Sequence, residues 1–358
     1  MRASAPRLEI DLDKIEHNAR ILVARLTAHG ISVTGVTKST LGSPAIANAF
    51  LRAGVDSIGD SRIDNIERMR DAKIDSPMIL VRSPMLSQID RVVAGADISL
   101  NTELAIIRQL SASAVAAGKS HGIVLMAEMG DLREGILPSD MAEVVDATLG
   151  LPGIVLRGIG TNLACRSGVS PDDSNMAELS ALAISLESIF GIHLDIVSGG
   201  NSANIDWAFN CTDPGRINNL RLGESILLGC ETLHRRPLEG LYSDAITLFV
   251  EVIESKMKPS RPWGTITQNA FGETPLARDG GYIAQAILAI GRQDIDSHGL
   301  IPVPGIVILD ASSDHLIVQS DGSKLTVGTE LPFQLNYSAL TRAMTSPFVT
   351  KVVKRLGT

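Results

Sequence analysis

Aromatic side chains are scarce in this chain of 358 residues: two Trp, three Tyr and seven Phe, or 3%. A single-stranded nucleic-acid binder stacks bases on such rings, and too few are present to build that platform. Positive charge is short as well. Lys and Arg total 32 against 40 Asp and Glu, a formal net charge of −8 that opposes a phosphate-backbone partner. Cys165, Cys211 and Cys230 are too few and too scattered for a disulfide framework. No Cys-x-x-Cys or His-Glu-x-x-His spacing signals a zinc site. No apolar run reaches the roughly 18 residues of a membrane span. The segment Met1–Leu12 lacks the apolar core of a signal peptide. The expectation is a cytoplasmic protein without nucleic-acid, membrane or metal partners.

Hydrophobic residues make up 44% of the chain, which disfavours disorder. The length exceeds what one core usually supports, so one large domain and a smaller one are expected. Leu8–Leu12 alternates apolar and acidic residues, as a half-buried strand does, and Asp13 then caps an amphipathic helix. From residue 30 to about 230 short apolar runs alternate with helical stretches. The runs are 31–36, 55–58, 78–81, 97–100, 122–127, 154–159, 194–197 and 219–222. They are continuous in apolar character, as buried parallel strands are, and eight such units suggest a (β/α)8 barrel. An open doubly wound sheet is the alternative. No Gly-x-Gly-x-x-Gly follows the first strand, so the dinucleotide fingerprint is missing.

After residue 235 the rhythm changes. Runs at 245–252, 284–290, 306–309, 315–318 and 331–335 read as strands with no long helix among them. Asp279-Gly280-Gly281, Pro304-Gly305 and Asp321-Gly322 supply turns. The predicted organisation is an N-terminal strand at 1–12 that joins a C-terminal, mostly-β domain at 235–358. The α/β barrel lies between them at 13–234.

In a βα barrel the chemistry sits at the C-terminal strand ends. Lys38 ends the first strand in Gly35-Val36-Thr37-Lys38-Ser39. Either it terminates the strand and reaches solvent, or it is a desolvated amine suited to Schiff-base chemistry. Ser198-Gly199-Gly200-Asn201-Ser202 lies between the seventh strand and a helix. It is either a capped tight turn or a phosphate cradle. Lys38 and this loop together fit a phosphate-bearing carbonyl cofactor, and pyridoxal 5'-phosphate meets both demands. Arg221 interrupts the apolar eighth strand. It either pairs with a barrel carboxylate or donates to the pyridine nitrogen, since arginine keeps its proton.

Several segments carry a family resemblance. Leu8–Leu12 with the helix through Asn18, Val36-Thr37-Lys38, Asn201-Ser202 and Arg221-Leu222-Gly223 resemble the alanine racemase superfamily of fold-type III pyridoxal phosphate enzymes. Five further segments resemble its alanine/ornithine racemase branch. They are Asp60-Ser61-Arg62, Gly130–Gly135, Gly160-Thr161-Asn162-Leu163, Ala289–Asp294 and Met344-Thr345-Ser346-Pro347.

The resemblance implies a head-to-tail homodimer whose β domain completes the partner's site. It implies that Lys38 holds the cofactor, with Asn201 in the cofactor loop. Ser202, Gly223 and Tyr337 would contact the phosphate, and Arg221 the pyridine nitrogen. Asn162 falls where alanine racemases carry a histidine near the ring, and Arg133 near the arginine that receives substrate carboxylate. Asp314 falls on the β-domain wall facing the site. Where the superfamily's second acid/base tyrosine is expected, this chain has Gly291-Arg292-Gln293-Asp294. Arg292 would bind substrate carboxylate, and Asp294 is the first candidate for the second proton carrier, followed by His298 and Asp314.

The implied activity is racemisation of an amino acid, with a basic substrate such as ornithine or lysine. Glu128, Asp131, Asp60 and Glu224 are candidate partners for a distal ammonium. The alternatives are a decarboxylase of the same fold type and a non-catalytic carrier of the cofactor. The decarboxylases place a catalytic cysteine in the β domain, whereas all three cysteines here precede residue 235. The carriers lack a second domain.

Overall fold

The computed structural model describes residues 4–274, 281–322 and 324–355. The chain divides into two compact units, one made of Leu12–Ser243 and the other of Met1–Asp11 with Asp244–Thr358.

The first unit is a closed barrel of eight parallel strands. In chain order α1 (Leu12–Thr27) precedes β2 (Ser32–Val36), β3 (Ser57–Asp60), β4 (Met78–Leu80) and β5 (Ile98–Asn101). Then come β6 (His121–Met126), β7 (Ile154–Gly160), β8 (Ile196–Gly200) and β9 (Asn219–Leu222). The helices between and after them are α2 (Pro44–Arg52), α3 (Ile63–Asp71), α4 (Ile89–Gly95), α5 (Leu104–Ala116), α6 (Met141–Leu149), α7 (Asp173–Phe190), α8 (Ile205–Asn210) and α9 (Glu224–Leu228). β2 pairs with both β3 and β9, which closes the ring.

Continuous apolar runs serve here because barrel strands are covered on both faces. Every residue of β6 is buried. Ile79, Ile98, Leu100, Val124 and Met126 form one interior cluster, each side chain contributing about 1.5–3 kcal/mol by burial. Two pairs of polar interior groups satisfy each other. Thr34 and Ser57 share a hydrogen bond of 2.9 Å, and Ser99 Oγ and His121 Nε2 one of 2.8 Å. Burial pushes the His121 imidazole down to about 4.

Asn18 on α1 ties the end of the unit to its beginning. Its Nδ2 donates to the carbonyls of Ile226 and Tyr242, and its Oδ1 accepts the Tyr242 N–H. The junction expected after residue 234 therefore falls inside the barrel unit. Residues 235–243 are held there by these bonds and by Leu238 N–H donating to the Gly229 carbonyl at 2.9 Å.

The second unit is an eight-stranded sheet. β1 (Arg7–Asp11) lies antiparallel to β10 (Ile246–Pro259) and parallel to β16 (Thr350–Lys354). The main path runs β12 (Leu300–Pro302), β15 (Glu330–Leu335), β10, β11 (Tyr282–Leu288), β14 (Leu316–Ser320) and β13 (Ile306–Ala311). β10 runs past the expected end at residue 252. Its outer half carries Glu254, Lys256 and Lys258, whose side chains bond to one another, so hydropathy does not mark it as strand.

A nine-residue helix, α10 (Tyr337–Thr345), stands after the last expected strand of this mostly-β unit. Asn336 Oδ1 caps it on the Ala339 N–H at 2.9 Å, and Ala339, Leu340, Ala343 and Met344 bury one face. Most of the turn expected at Asp279-Gly280-Gly281 lies outside the described residues. Among the described residues no helix is long and apolar enough to cross a membrane, and no cluster of side chains could hold a metal ion.

Candidate active site

Lys38 follows β2 and opens a short 3₁₀ turn, Lys38–Thr40. The residue before it is locked. Thr37 N–H donates to the Gly59 carbonyl, and Thr37 Oγ1 donates to Asp60 Oδ2 at 2.8 Å. Asp60 is fully buried at the end of β3 and also accepts from Asn65 Nδ2 at 2.9 Å and Arg62 N at 3.0 Å. Burial raises its pKa against those hydrogen bonds. This carboxylate shapes the turn and is not open to a substrate ammonium.

Lys38 itself is exposed to solvent at the end of β2, with enough protein around it to desolvate its amine in part. Desolvation lowers its pKa, and the neighbouring Arg133 and Arg221 lower it further, while Cys165 and Asp60 oppose them. Arg221 is 6% exposed. Its Nη1 donates to Ser198 Oγ at 2.5 Å and its Nη2 to the Thr161 carbonyl at 2.6 Å. Burial pushes it down to about 10, so it remains cationic at neutral pH.

The loop after β8 is built around Asn201. Its Oδ1 accepts the Ala203 N–H at 2.8 Å, and its Nδ2 donates to Asn162 Oδ1 at 3.0 Å and to the Leu163 carbonyl at 2.9 Å. The Asn162 Nδ2 is enclosed and has no hydrogen-bond partner in the protein. Ser202 is buried, and its Oγ accepts from Ser225 N at 3.3 Å and from Ser225 Oγ at 3.0 Å. Two glycines are required by close approach. Gly200 has φ +147°, and a Cβ there would stand 2.1 Å from Asn204 Oδ1. A Cβ on Gly223 would stand 2.8 Å from the Val36 carbonyl.

The segment after β6 is a second wall. Asp131 is buried and accepts the N–H groups of Cys165, Arg166 and Ser167, so it clamps the loop after β7. Glu128 Oε1 accepts from Gly130 N at 2.7 Å and Leu132 N at 3.0 Å. Arg133 forks onto its neighbour Glu134 through Nε and Nη2. Glu224 is paired with Arg235.

Lys38, Arg133, Asn162, Asn201, Ser202, Arg221 and Gly223 thus sit at the C-terminal strand ends of one barrel. Sequence reasoning gave Cys165 and Glu134 no role in the site and named Ser198 only as part of the loop after the seventh strand. Their role is set by folding partners and by Ala164, whose φ of 58° turns the loop.

The remaining expected residues belong to the β unit. Tyr337 opens α10. Arg292 is bidentate with Glu273, at 3.0 and 2.8 Å, lies 3.2 Å from Asp310 Oδ1, and stacks on Phe271 at 4.3 Å. Asp294 Oδ1 accepts the Ser346 hydroxyl at 2.6 Å, which makes it a turn clamp. Asp314 is exposed and bonds the adjacent His315 Nδ1 at 2.8 Å. His298 is 85% exposed beside Asp296.

Residues 10–230 match the family described as alanine racemase, N-terminal domain. The chain belongs to the alanine racemase N-terminal domain family. Within it, the chain is 38% identical to the ornithine racemase of Acetoanaerobium sticklandii over 97% of its own length and 99% of that relative. It is also 38% identical to the lysine racemase of Thermotoga maritima, over 97% and 98%. The alanine racemase of Treponema pallidum is 21% identical over 84% of this chain and 82% of that relative.

Among solved structures, the alanine racemase from a D-cycloserine producing Streptomyces lavendulae superposes with a TM-score of 0.75 at 20% identity, covering 98% of both chains. The D-threonine aldolase from Filomicrobium marinum reaches 0.76 at 16% identity, over 96% and 89%. These two likenesses show that the barrel and β sheet of this alanine racemase family member form a shared fold.

Proposed function

We propose that this chain is a pyridoxal phosphate-dependent amino-acid racemase acting on a basic amino acid such as ornithine or lysine. The observation that carries the proposal is Lys38, an amine of lowered pKa at a barrel strand end beside two arginines. The two relatives at 38% identity, named for ornithine and lysine, support the basic substrate.

The residues present suit the cofactor. Asn162 Nδ2 is an enclosed donor with no acceptor in the protein. Gly223 and Gly200 pack against the Val36 carbonyl and the Asn204 amide, where a side chain would not fit, so both loops stay close to the strand ends. Lys38, Arg133 and Arg221 supply positive charge for a phosphate and a carboxylate. When bound, pyridoxal phosphate offers an aldehyde for an amine and an electron-withdrawing ring that acidifies the α-carbon.

In this reading Lys38 holds the cofactor and, once released, carries the α-proton at Nζ. Desolvation lowers the pKa of that amine, which eases the loss of its proton. Ser202 and the Gly223 backbone hold the phosphate, joined by Tyr337, and Asn201 fixes the loop that carries Ser202. Arg221 would donate to the pyridine nitrogen, and because a guanidinium keeps its proton it would limit side reactions there. Arg133 receives the substrate carboxylate by exchanging Glu134 for it, and Arg292 does the same by exchanging Glu273, with Asp314 on the same wall.

The working unit is a head-to-tail homodimer in the cytoplasm, each β unit completing the partner's site. The test is Lys38→Ala with a panel of amino acids resolved by chiral chromatography. Racemisation and the visible absorbance of lysine-bound cofactor are expected to vanish together, and retention of both would refute the proposal.

A further inference from the structure

A site that selects basic amino acids must offer the distal ammonium a carboxylate. In the barrel unit the four expected carboxylates are engaged. Asp60 is fully buried and accepts from Thr37, Asn65 and Arg62. Asp131 accepts three backbone N–H groups, Glu128 folds back onto those of Gly130 and Leu132, and Glu224 is paired with Arg235.

The β unit holds a different arrangement. Asn269 builds a tight turn, its Oδ1 accepting the N–H groups of Phe271 and Glu273 at 2.9 and 3.0 Å. Its Nδ2 donates to Glu273 Oε2 at 3.0 Å. This turn meets Arg292 twice. The Phe271 ring centroid lies 4.3 Å from the guanidinium carbon, and Nη1 and Nη2 donate to the two Glu273 oxygens at 3.0 and 2.8 Å. Asp310 Oδ1 also accepts from Nη2, at 3.2 Å, and is fixed in turn by the Ala311 N–H at 2.7 Å. The Arg292 Nε is enclosed and has no hydrogen-bond partner in the protein.

Glu273 occupies both Nη groups in the forked geometry by which arginine receives any carboxylate. A substrate carboxylate therefore reaches them only when Glu273 leaves. The Glu273 side chain is 52% exposed and that of Arg292 18%, so the carboxylate can rotate into water while the Phe271 stack keeps its turn on the guanidinium. Charge then separates the substrates. One guanidinium against two carboxylates leaves the cluster at −1. A substrate with a neutral side chain adds only its carboxylate, whereas ornithine or lysine adds an ammonium as well and leaves that balance unchanged. Hydrogen bonds from Arg292 and Asn269 hold the Glu273 carboxyl down at about 2, so it is ionised at neutral pH.

We propose that Glu273 sets the preference for basic side chains by exchange of ion pairs. The substrate carboxylate replaces Glu273 on Arg292, and the released Glu273 pairs with the distal ammonium while Asp310 stays on the guanidinium. No covalent bond changes. The proposal rests on the reading of Arg292 as the receiver of the substrate carboxylate.

The test compares ornithine with norvaline, the same carbon chain without the distal amine, on holoenzyme. Glu273→Gln removes the charge and keeps the shape at an exposed position. It is expected to lower kcat/KM for ornithine about tenfold or more, mainly through KM, and to raise that for norvaline about threefold by loosening the hold on Arg292. An ornithine-to-norvaline ratio within about threefold of wild type would overturn the assignment, as would an equal fall for both substrates.

Calorimetric titration with δ-aminovalerate and valerate reads the same contact without turnover, because neither has an α-amine. Wild type should bind δ-aminovalerate about tenfold or more tightly than valerate, and Glu273→Gln should bind the two within about threefold. Equal affinities in wild type would also overturn the assignment. Arg292→Gln is expected to lower kcat/KM for both amino acids. Unchanged kinetics in that variant, or a wild type that racemises no basic amino acid, would instead refute the reading beneath the proposal.

Discussion

Replacing Asp60 with Ala removes the acceptor of Thr37 Oγ1, Asn65 Nδ2 and Arg62 N at 2.8, 2.9 and 3.0 Å. Asp60 is 0% exposed, so water does not take over its place without opening the strand end. Hydrogen bonds to a charged acceptor contribute about 1.5–3 kcal/mol each, and Thr37 retains a long contact to the Gly59 carbonyl. The net loss should be about 3–5 kcal/mol, which lowers the melting temperature of a unit this size by roughly 6–20 °C.

Asp60→Asn keeps one accepting oxygen and should cost about 1–2 kcal/mol. The pH dependence follows from the direction of the shift. The folded pKa of Asp60 is raised above its usual 3.8, so its contribution is full below that value and declines as pH rises through the folded value. The Asn variant imitates the neutral acid, so its deficit against wild type should be smaller at about pH 8 than at about pH 4. Thermal melts by circular dichroism at both pH values read this directly. An Ala variant melting within about 2 °C of wild type, or an Asn deficit that grows with pH, would refute the reasoning.

Two further outcomes follow from the barrel. The imidazole of His121 is lowered from 6.5 to about 4, so the unfolded chain takes its proton first. Its stabilisation of about 3 kcal/mol is present above pH 6.5 and lost as pH falls toward 4; His121→Gln should flatten that part of the melting profile, and an unflattened profile counts against it. Gly200→Ala forces a Cβ to 2.1 Å from Asn204 Oδ1 at a positive φ, at a cost of about 2–4 kcal/mol. Pyridoxal phosphate titrated by absorbance should bind the variant about tenfold more weakly or worse, and an unchanged affinity would show that the loop after β8 does not hold the cofactor.

The barrel was legible because its strands are buried on both faces, and β6 is apolar at five of its six positions behind His121. Strand ends were blurred by a residue or two, since hydropathy does not record where hydrogen bonding stops. Lys38 and Arg221 stood out as cations in apolar runs. Cys165 did not, because its setting depends on Asp131, far away in the chain. Arg292 was readable as a cation, but its carboxylate partner Glu273 lies across the β unit's long β10–β11 connection. α10 has buried positions 339, 340, 343 and 344 at helical spacing, a pattern too short to compete with the strand rhythm before it.

The pairing of β1 has a consequence for how the chain is made. On the ribosome, Arg7–Asp11 emerges well before its neighbours β10 and β16, which begin at residues 246 and 350. Leu8 and Ile10, buried in the finished sheet, must wait while the whole barrel is synthesised. During that interval the strand has two open edges and an apolar face, the combination most prone to pairing with another nascent chain. Arg7, Glu9 and Asp11 alternate with those apolar residues, so the waiting strand carries charge at every second position until its own partners arrive.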